Sequence, residues 1–239
     1  MKYELVKTDT KKFAGVTLYR IKALIAIGSL VTPGELGGYI EKENNLSHAG
    51  NAWVSGDARV YGNAQVYGNA RVSGDARVYK DARVYGNAQV YGDARVYGNA
   101  QVYRDARVYK DARVYGNAQV YGDARVYGNA WVSGDARVYG NAQVYRDARV
   151  YKDARVYKDA RVSDKTKWLL IGPAKSSGRF TTAFVDEKIG VRVVCGCFTG
   201  TVAEFSEQIE KTHKDNQECL EQYRLFCQLI GFNFGVNNA

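Results

Sequence analysis

The chain has 239 residues, with 34 Lys and Arg against 25 Asp and Glu, for a net charge of +9. No run approaches the roughly 18 apolar residues that a membrane span needs, and no apolar leader follows Met1-Lys2-Tyr3-Glu4. The four cysteines, Cys195, Cys197, Cys219 and Cys227, sit in the last quarter and call for no oxidising compartment, so a soluble, cytoplasmic protein is expected.

Residues 1–49 read as a separate N-terminal cap. Tyr3-Glu4-Leu5-Val6 and Val16 to Ile21 have the composition of short strands, and Thr32 to Ile40 reads as turns leading into another. Leu46 and Ser47 stand just before a strict repeat and read as an imperfect first coil.

From Gly50 to Ser163 one six-residue unit, Gly/Lys/Arg–Asn/Asp–Ala–Arg/Gln/Trp–Val–Tyr/Ser, recurs 19 times without a gap. Ala holds the third place and Val the fifth in every copy, so on an extended backbone both point to one side. The fourth and sixth residues point to the other. The pair that opens each unit ends the strand before it, since Gly, Asn and Asp tolerate positive φ. A period of six fits neither helical spacing, and strands this short bury nothing alone, so they must stack as coils of a parallel β-solenoid.

The unit resembles the hexapeptide repeat of left-handed parallel β-helices, the fold of the trimeric acyltransferases. That resemblance implies three units per triangular coil, about six coils, a homotrimer, and acyl transfer with a histidine as general base. The repeat contains no histidine and no interrupting loop, which leaves only His48 and His213 as candidate bases. The carbonic-anhydrase branch of that fold uses three zinc-binding histidines, and the chain has two. Leu36-Gly37-Gly38-Tyr39-Ile40 followed by Asn45-Leu46-Ser47 and such repeats is similar to stretches in proteins of bacteria and their phages. The expected function is therefore a non-catalytic binding or scaffold protein. The phage likeness implies an inhibitor that captures a host protein or a small anionic ligand. A hexapeptide-type acyltransferase and a polyanion-binding surface are the alternatives.

The repeat carries 14 Arg and 4 Lys against 11 Asp, and all 11 aspartates occur as Asp-Ala-Arg. Charge is thus expected to be offset within each unit, which argues against nucleic acid as the partner. Fifteen units end in Tyr. With three units per coil, Tyr61, Tyr79, Tyr97, Tyr115 and Tyr151 share a column that Ser133 interrupts. Such a column could be a stabilising ladder, a subunit interface, or a platform for bases.

Residues 164–239 read as a C-terminal α+β domain joined by a hinge at Asp164 to Lys167. Strands are expected at Trp168 to Ile171, Arg179 to Val185 and Val191 to Phe198. One helix should run from Thr201, with Val202, Phe205 and Ile209 on its apolar face, and a second from about Asn216 to Ile230. Selectivity is expected here, because the repeat faces are too uniform to specify a partner. Lys175, Ser176, Ser177, Arg179 and Arg192, with Lys188 nearby, suit a carboxylate or phosphate. Without a Cys-x-x-Cys knuckle the cysteines read as core hydrophobes, and no metal or cofactor is expected.

Overall fold

The computed structural model describes residues 1–158, 160–163, 168–175, 178–186 and 189–236. The expected hinge, Ser176, Ser177 and Lys188 lie outside the described residues. Among the described residues, no helix is long and apolar enough to cross a membrane.

Each repeat unit forms one strand of two to four residues, from Trp53–Val54 to Arg161–Val162. The strands stack in parallel on three faces with partners 18 residues apart: Arg59 pairs with Arg77, Gln65 with Arg83, and Trp53 with Arg71. Three units therefore make one coil. The columns beginning at Arg59, Gln65 and Trp53 are called the first, second and third faces. Every Ala and Val of the repeat is buried, at no more than 1% exposed.

The third face holds seven strands, so the solenoid has about seven turns rather than six. The additional turn is the imperfect first coil. Ile40 pairs with Val60 and Leu46 bridges to Val66, both 20 residues apart. The first turn thus carries two more residues than the others.

Corners explain the opening pair of the unit. In all 19 copies the first residue has φ between 54° and 73°, including Lys80, Arg104, Lys110, Arg146, Lys152 and Lys158. Positive φ belongs to that place alone. Asn or Asp, next in line, serves a different purpose by bonding along the corner to the following coil. Asn69 Nδ2 donates to Asn87 and Asn87 Nδ2 to Asp105, at 3.1 and 3.0 Å. Asn99, Asn117 and Asp135 repeat the pattern at 3.0 and 3.1 Å. A carboxylate accepts but cannot donate, so each run stops at Asp.

At the flanks of each strand a coil donates N–H groups to the carbonyls of the next, as from Arg59 N to Ala76 O at 2.9 Å and from Tyr61 N to Val78 O at 3.1 Å. Within the paired strands bonds run in both directions, as parallel pairing requires. The flanking carbonyls at the N-terminal end therefore need donors. Lys2 Nζ donates to Ala52 O at 2.8 Å, Asn45 Nδ2 to Ala64 O at 2.9 Å, and Tyr3 Oη to Leu46 O at 2.8 Å. Burial pulls the Lys2 ammonium down to about 8. The strands β1 (Tyr3–Phe13), β2 (Val16–Ala23) and β3 (Leu36–Ile40) prolong the first face, β3 joining it in parallel and β1 and β2 following antiparallel.

The C-terminal end presents N–H groups and needs acceptors. Thr182 Oγ1 accepts from Arg155 N at 3.5 Å. Thr182 belongs to a four-stranded antiparallel sheet of Trp168–Ile171, Thr181–Asp186, Gly190–Cys195 and Phe198–Gly200. Alternation along these strands splits the sheet into two faces. Trp168, Phe184 and Val194 complete the solenoid core. Ala183, Val193 and Cys195 pack instead against α1 (Val202–His213) and α2 (Gln217–Phe234). Thr201 and Glu204 form a capping box at the start of α1, Asn216 caps α2, and Gly235 ends it in the left-handed conformation. One face of the C-terminal sheet thus closes the solenoid core while the other packs on the two helices.

Candidate functional site

The expected anion-binding residues separate in space. Lys175 is tied to α2, its Nζ 2.5 Å from Glu218 and its backbone N–H donating to Gln222 at 2.8 Å. Arg192 is 8% exposed, with Nε on the Asp186 carboxylate at 2.7 Å and Nη1 on Thr199 at 3.4 Å. Arg179 is exposed and lines a cleft instead.

The histidines also part company. His48 belongs to the N-terminal cap, where its Nδ1 accepts from Lys2 N at 3.1 Å and its ring stacks on Tyr3 at 4.3 Å. His213 ends α1 and stacks on Tyr223 of α2 at 5.1 Å. It lines the same cleft as Arg179, although 34 residues separate them in the chain.

That cleft has a volume of about 340 Å3. Phe198, Phe205 and Tyr223 give it an aromatic floor, with ring contacts of 5.1 Å for Phe198–Phe205 and 6.0 Å for Phe205–Tyr223. Cys195 is buried beneath, its thiol 3.8 Å from Tyr223 Oη, while Cys197 is exposed at the rim. Gly196 between them turns the chain at φ 59° and seats the arginine, since a Cβ there would lie 2.9 Å from Arg179 Nη1. The strand expected from Val191 to Phe198 ends at Cys195, and Gly196-Cys197 turns the chain into a second short strand, Phe198–Gly200.

Burial pushes the Cys227 thiol up to about 11, with Glu210 adding to the effect. A thiol so raised is neither a ready nucleophile nor a ready metal ligand. Among the described residues, no group of three or more His, Cys, Asp or Glu side chains is placed to hold a metal ion.

On the solenoid, charge is arranged differently from the expectation. From Asn51 to Arg155, no described repeat guanidinium lies within 4.0 Å of a repeat carboxylate. Asp stands at the corner and Arg on the flat face, too far apart to pair. Four of the stacked arginines of the first face, Arg59, Arg77, Arg113 and Arg149, rest on aromatic rings. Phe13 from the hairpin tip lies against Arg59 and Arg77, at 4.6 and 4.9 Å. Trp131 lies between Arg113 and Arg149, at 5.0 and 4.5 Å.

Tyrosines form three columns, one per face. Tyr67 to Tyr157 is unbroken over six rungs, with ring centroids 4.8–4.9 Å apart and planes within 9°. Offset stacking at the coil spacing is the favoured geometry for such rings.

Five stretches of the repeat match the family described as YdcK Beta solenoid repeat: residues 52–66, 64–80, 88–104, 118–134 and 130–146. The chain is similar to that family over the repeat, in agreement with the stacked coils. No curated protein matches the chain.

Proposed function

We propose that the chain is a non-catalytic scaffold that binds a small anionic ligand in the cleft beside Arg179. The observation that carries this reading is the meeting of Arg179 with Phe198, Phe205, His213 and Tyr223 around about 340 Å3. That volume is typical of small-molecule sites, which pair an apolar wall with a few placed polar groups. Gly196 lets the Arg179 side chain pack close over its turn at the edge of the cleft, where its positive charge would attract a carboxylate or phosphate. The resemblance of Leu36 to Ile40 and Asn45 to Ser47 to bacterial and phage proteins extends the proposal. The protein would be a phage- or prophage-encoded inhibitor, assembled as a trimer, that sequesters a host protein or an anionic metabolite.

Calorimetric titration of the full chain with citrate and inorganic phosphate tests the site. Arg179→Ala is expected to weaken binding by about 1–3 kcal/mol. Equal affinity in the variant would remove the cleft from the proposal. The acyltransferase alternative has His213 as its base, because His213 stands in the cleft. Turnover of an acyl-CoA donor that is lost in His213→Ala would replace the binding reading.

A further inference from the structure

The tyrosine column of the first face breaks once. Tyr61, Tyr79, Tyr97 and Tyr115 stack at 4.8–5.0 Å with planes within 7°. Ser133 occupies the next rung and Tyr151 the one after. The rungs of Tyr115 and Tyr151 lie two coil spacings apart, about 10 Å, which is the spacing left by taking one residue out of a column, and Trp168 meets the Tyr151 ring edge-on at 5.1 Å and 81°. Trp131 does not close it as a tyrosine would, for it meets Tyr115 edge-on at 6.5 Å and 74°. A concavity of about 620 Å3 remains, walled by Tyr115, Trp131, Ser133, Arg149, Tyr151 and Trp168. Tyr151 is the exposed tyrosine of the ladders, at 45%.

The same exchange at the solenoid's other end is filled by the chain itself. Trp53-Val54-Ser55 repeats Trp131-Val132-Ser133, and Ser73 follows Ser55 on the next rung. There the loop bearing Ile27 and Val31 comes over the aromatic ring and the serines, leaving about 170 Å3 and Trp53 only 5% exposed. Ser163, at the last corner, is buried at 7%. Small residues thus stand in the tyrosine columns where something else occupies the outer face, and at Ser133 the C-terminal domain supplies only a rim.

We infer that the gap at Ser133 binds a planar aromatic ring carrying an acidic group. The ring would stack in the place of the missing tyrosine, between Tyr115 and Tyr151. Arg149 would take the acid, being the charged residue of the wall, with no carboxylate among the lining residues. Nucleotides and aromatic carboxylates share this chemistry. The site shares no lining residue with the Arg179 cleft and stands or falls apart from it.

Calorimetry of the full-length protein with AMP and with naphthalene-2-carboxylate tests both sources. Ribose 5-phosphate and cyclohexanecarboxylate are the controls without an aromatic ring. At least one aromatic anion should bind in the micromolar to low millimolar range, and each control at least tenfold more weakly. Restoring the repeat by Trp131→Arg with Ser133→Tyr, which reproduces the Arg113-Val114-Tyr115 unit, should raise the melting temperature and abolish binding. Arg149→Gln should weaken the aromatic anion about tenfold and leave uncharged naphthalene unaffected. Failure of both aromatic anions to bind, or unchanged binding in the restored double variant, would overturn the inference.

Discussion

The coils and the ends of this solenoid solve one problem in opposite ways. Within the coils the strand backbone bonds to the neighbouring turns and the Ala N–H bonds back across its own corner, as from Ala76 N to Ser73 O at 3.4 Å, so the interior needs nothing but Ala and Val. Among the described residues, every buried polar or charged one, namely Lys2, Asn45, Ser163, Thr181, Thr182, Asp186 and Arg192, lies outside them or at their last corner. Repetition stabilises the middle, and individual side chains stabilise the ends. Side-chain donors meet the flanking carbonyls at the N-terminal end, and Thr182 with the apolar face of the C-terminal sheet closes the other.

The comparison is broken most severely at the lid. Phe184 is fully buried in the solenoid core although it belongs to the C-terminal sheet. Phe184→Ala should cost about 3–5 kcal/mol. A loss below about 1 kcal/mol in chemical denaturation would mean that the lid is only tethered. Next comes the interior itself. Ala100→Leu should overpack a coil and cost about 1–3 kcal/mol. Gln101→Leu, one residue away on the outer surface, gives up the bond from Tyr85 Oη at 3.2 Å and should cost less than about 1 kcal/mol. Equal melting temperatures for the two variants would refute the inside–outside assignment.

The smallest effect concerns Lys2. Its folded value of about 8 lies below its usual 10.5, so the unfolded chain holds the extra proton between these values. Stability should therefore rise with pH from about 8 to 10, by at most about 1.4 kcal/mol per pH unit. Above pH 10 the sign reverses, because burial raises the ladder tyrosines, and the unfolded chain loses those protons first. Lys2→Met should flatten the rise while leaving the alkaline fall. A slope in the variant equal to that of the native protein would place the titrating group elsewhere.

Much of this was legible in the sequence, for a physical reason. A repeat states its structure 19 times, so the buried Ala and Val follow from period and alternation, while the three-unit coil was legible only through the resemblance to hexapeptide-repeat β-helices. The two helices were legible too, through Val202, Phe205 and Ile209 and through the caps Thr201 and Asn216. Charge was not. Asp-Ala-Arg places the two side chains near each other in sequence, but Asp stands on the corner and Arg on the flat face, and they do not pair. The anion site was read as a cluster because Lys175, Arg179 and Arg192 are close along the chain. Strand pairing sends Arg192 to Asp186 and Lys175 to α2, and brings His213 to Arg179 from across a helix. The Trp-Val-Ser units were visible as exceptions, but only the coil register shows that Ser133 leaves a gap where Ser55 does not.

The central claim is that recognition happens where the repeat ends or breaks, and that the uniform coils are passive. Amide hydrogen exchange of the full-length protein, with and without saturating AMP and citrate, tests it most directly. The account predicts added protection around residues 115 and 131–151 with AMP and around 195–213 with citrate, and none across residues 77–108. Protection gained evenly along the coils, or gained nowhere, would contradict it.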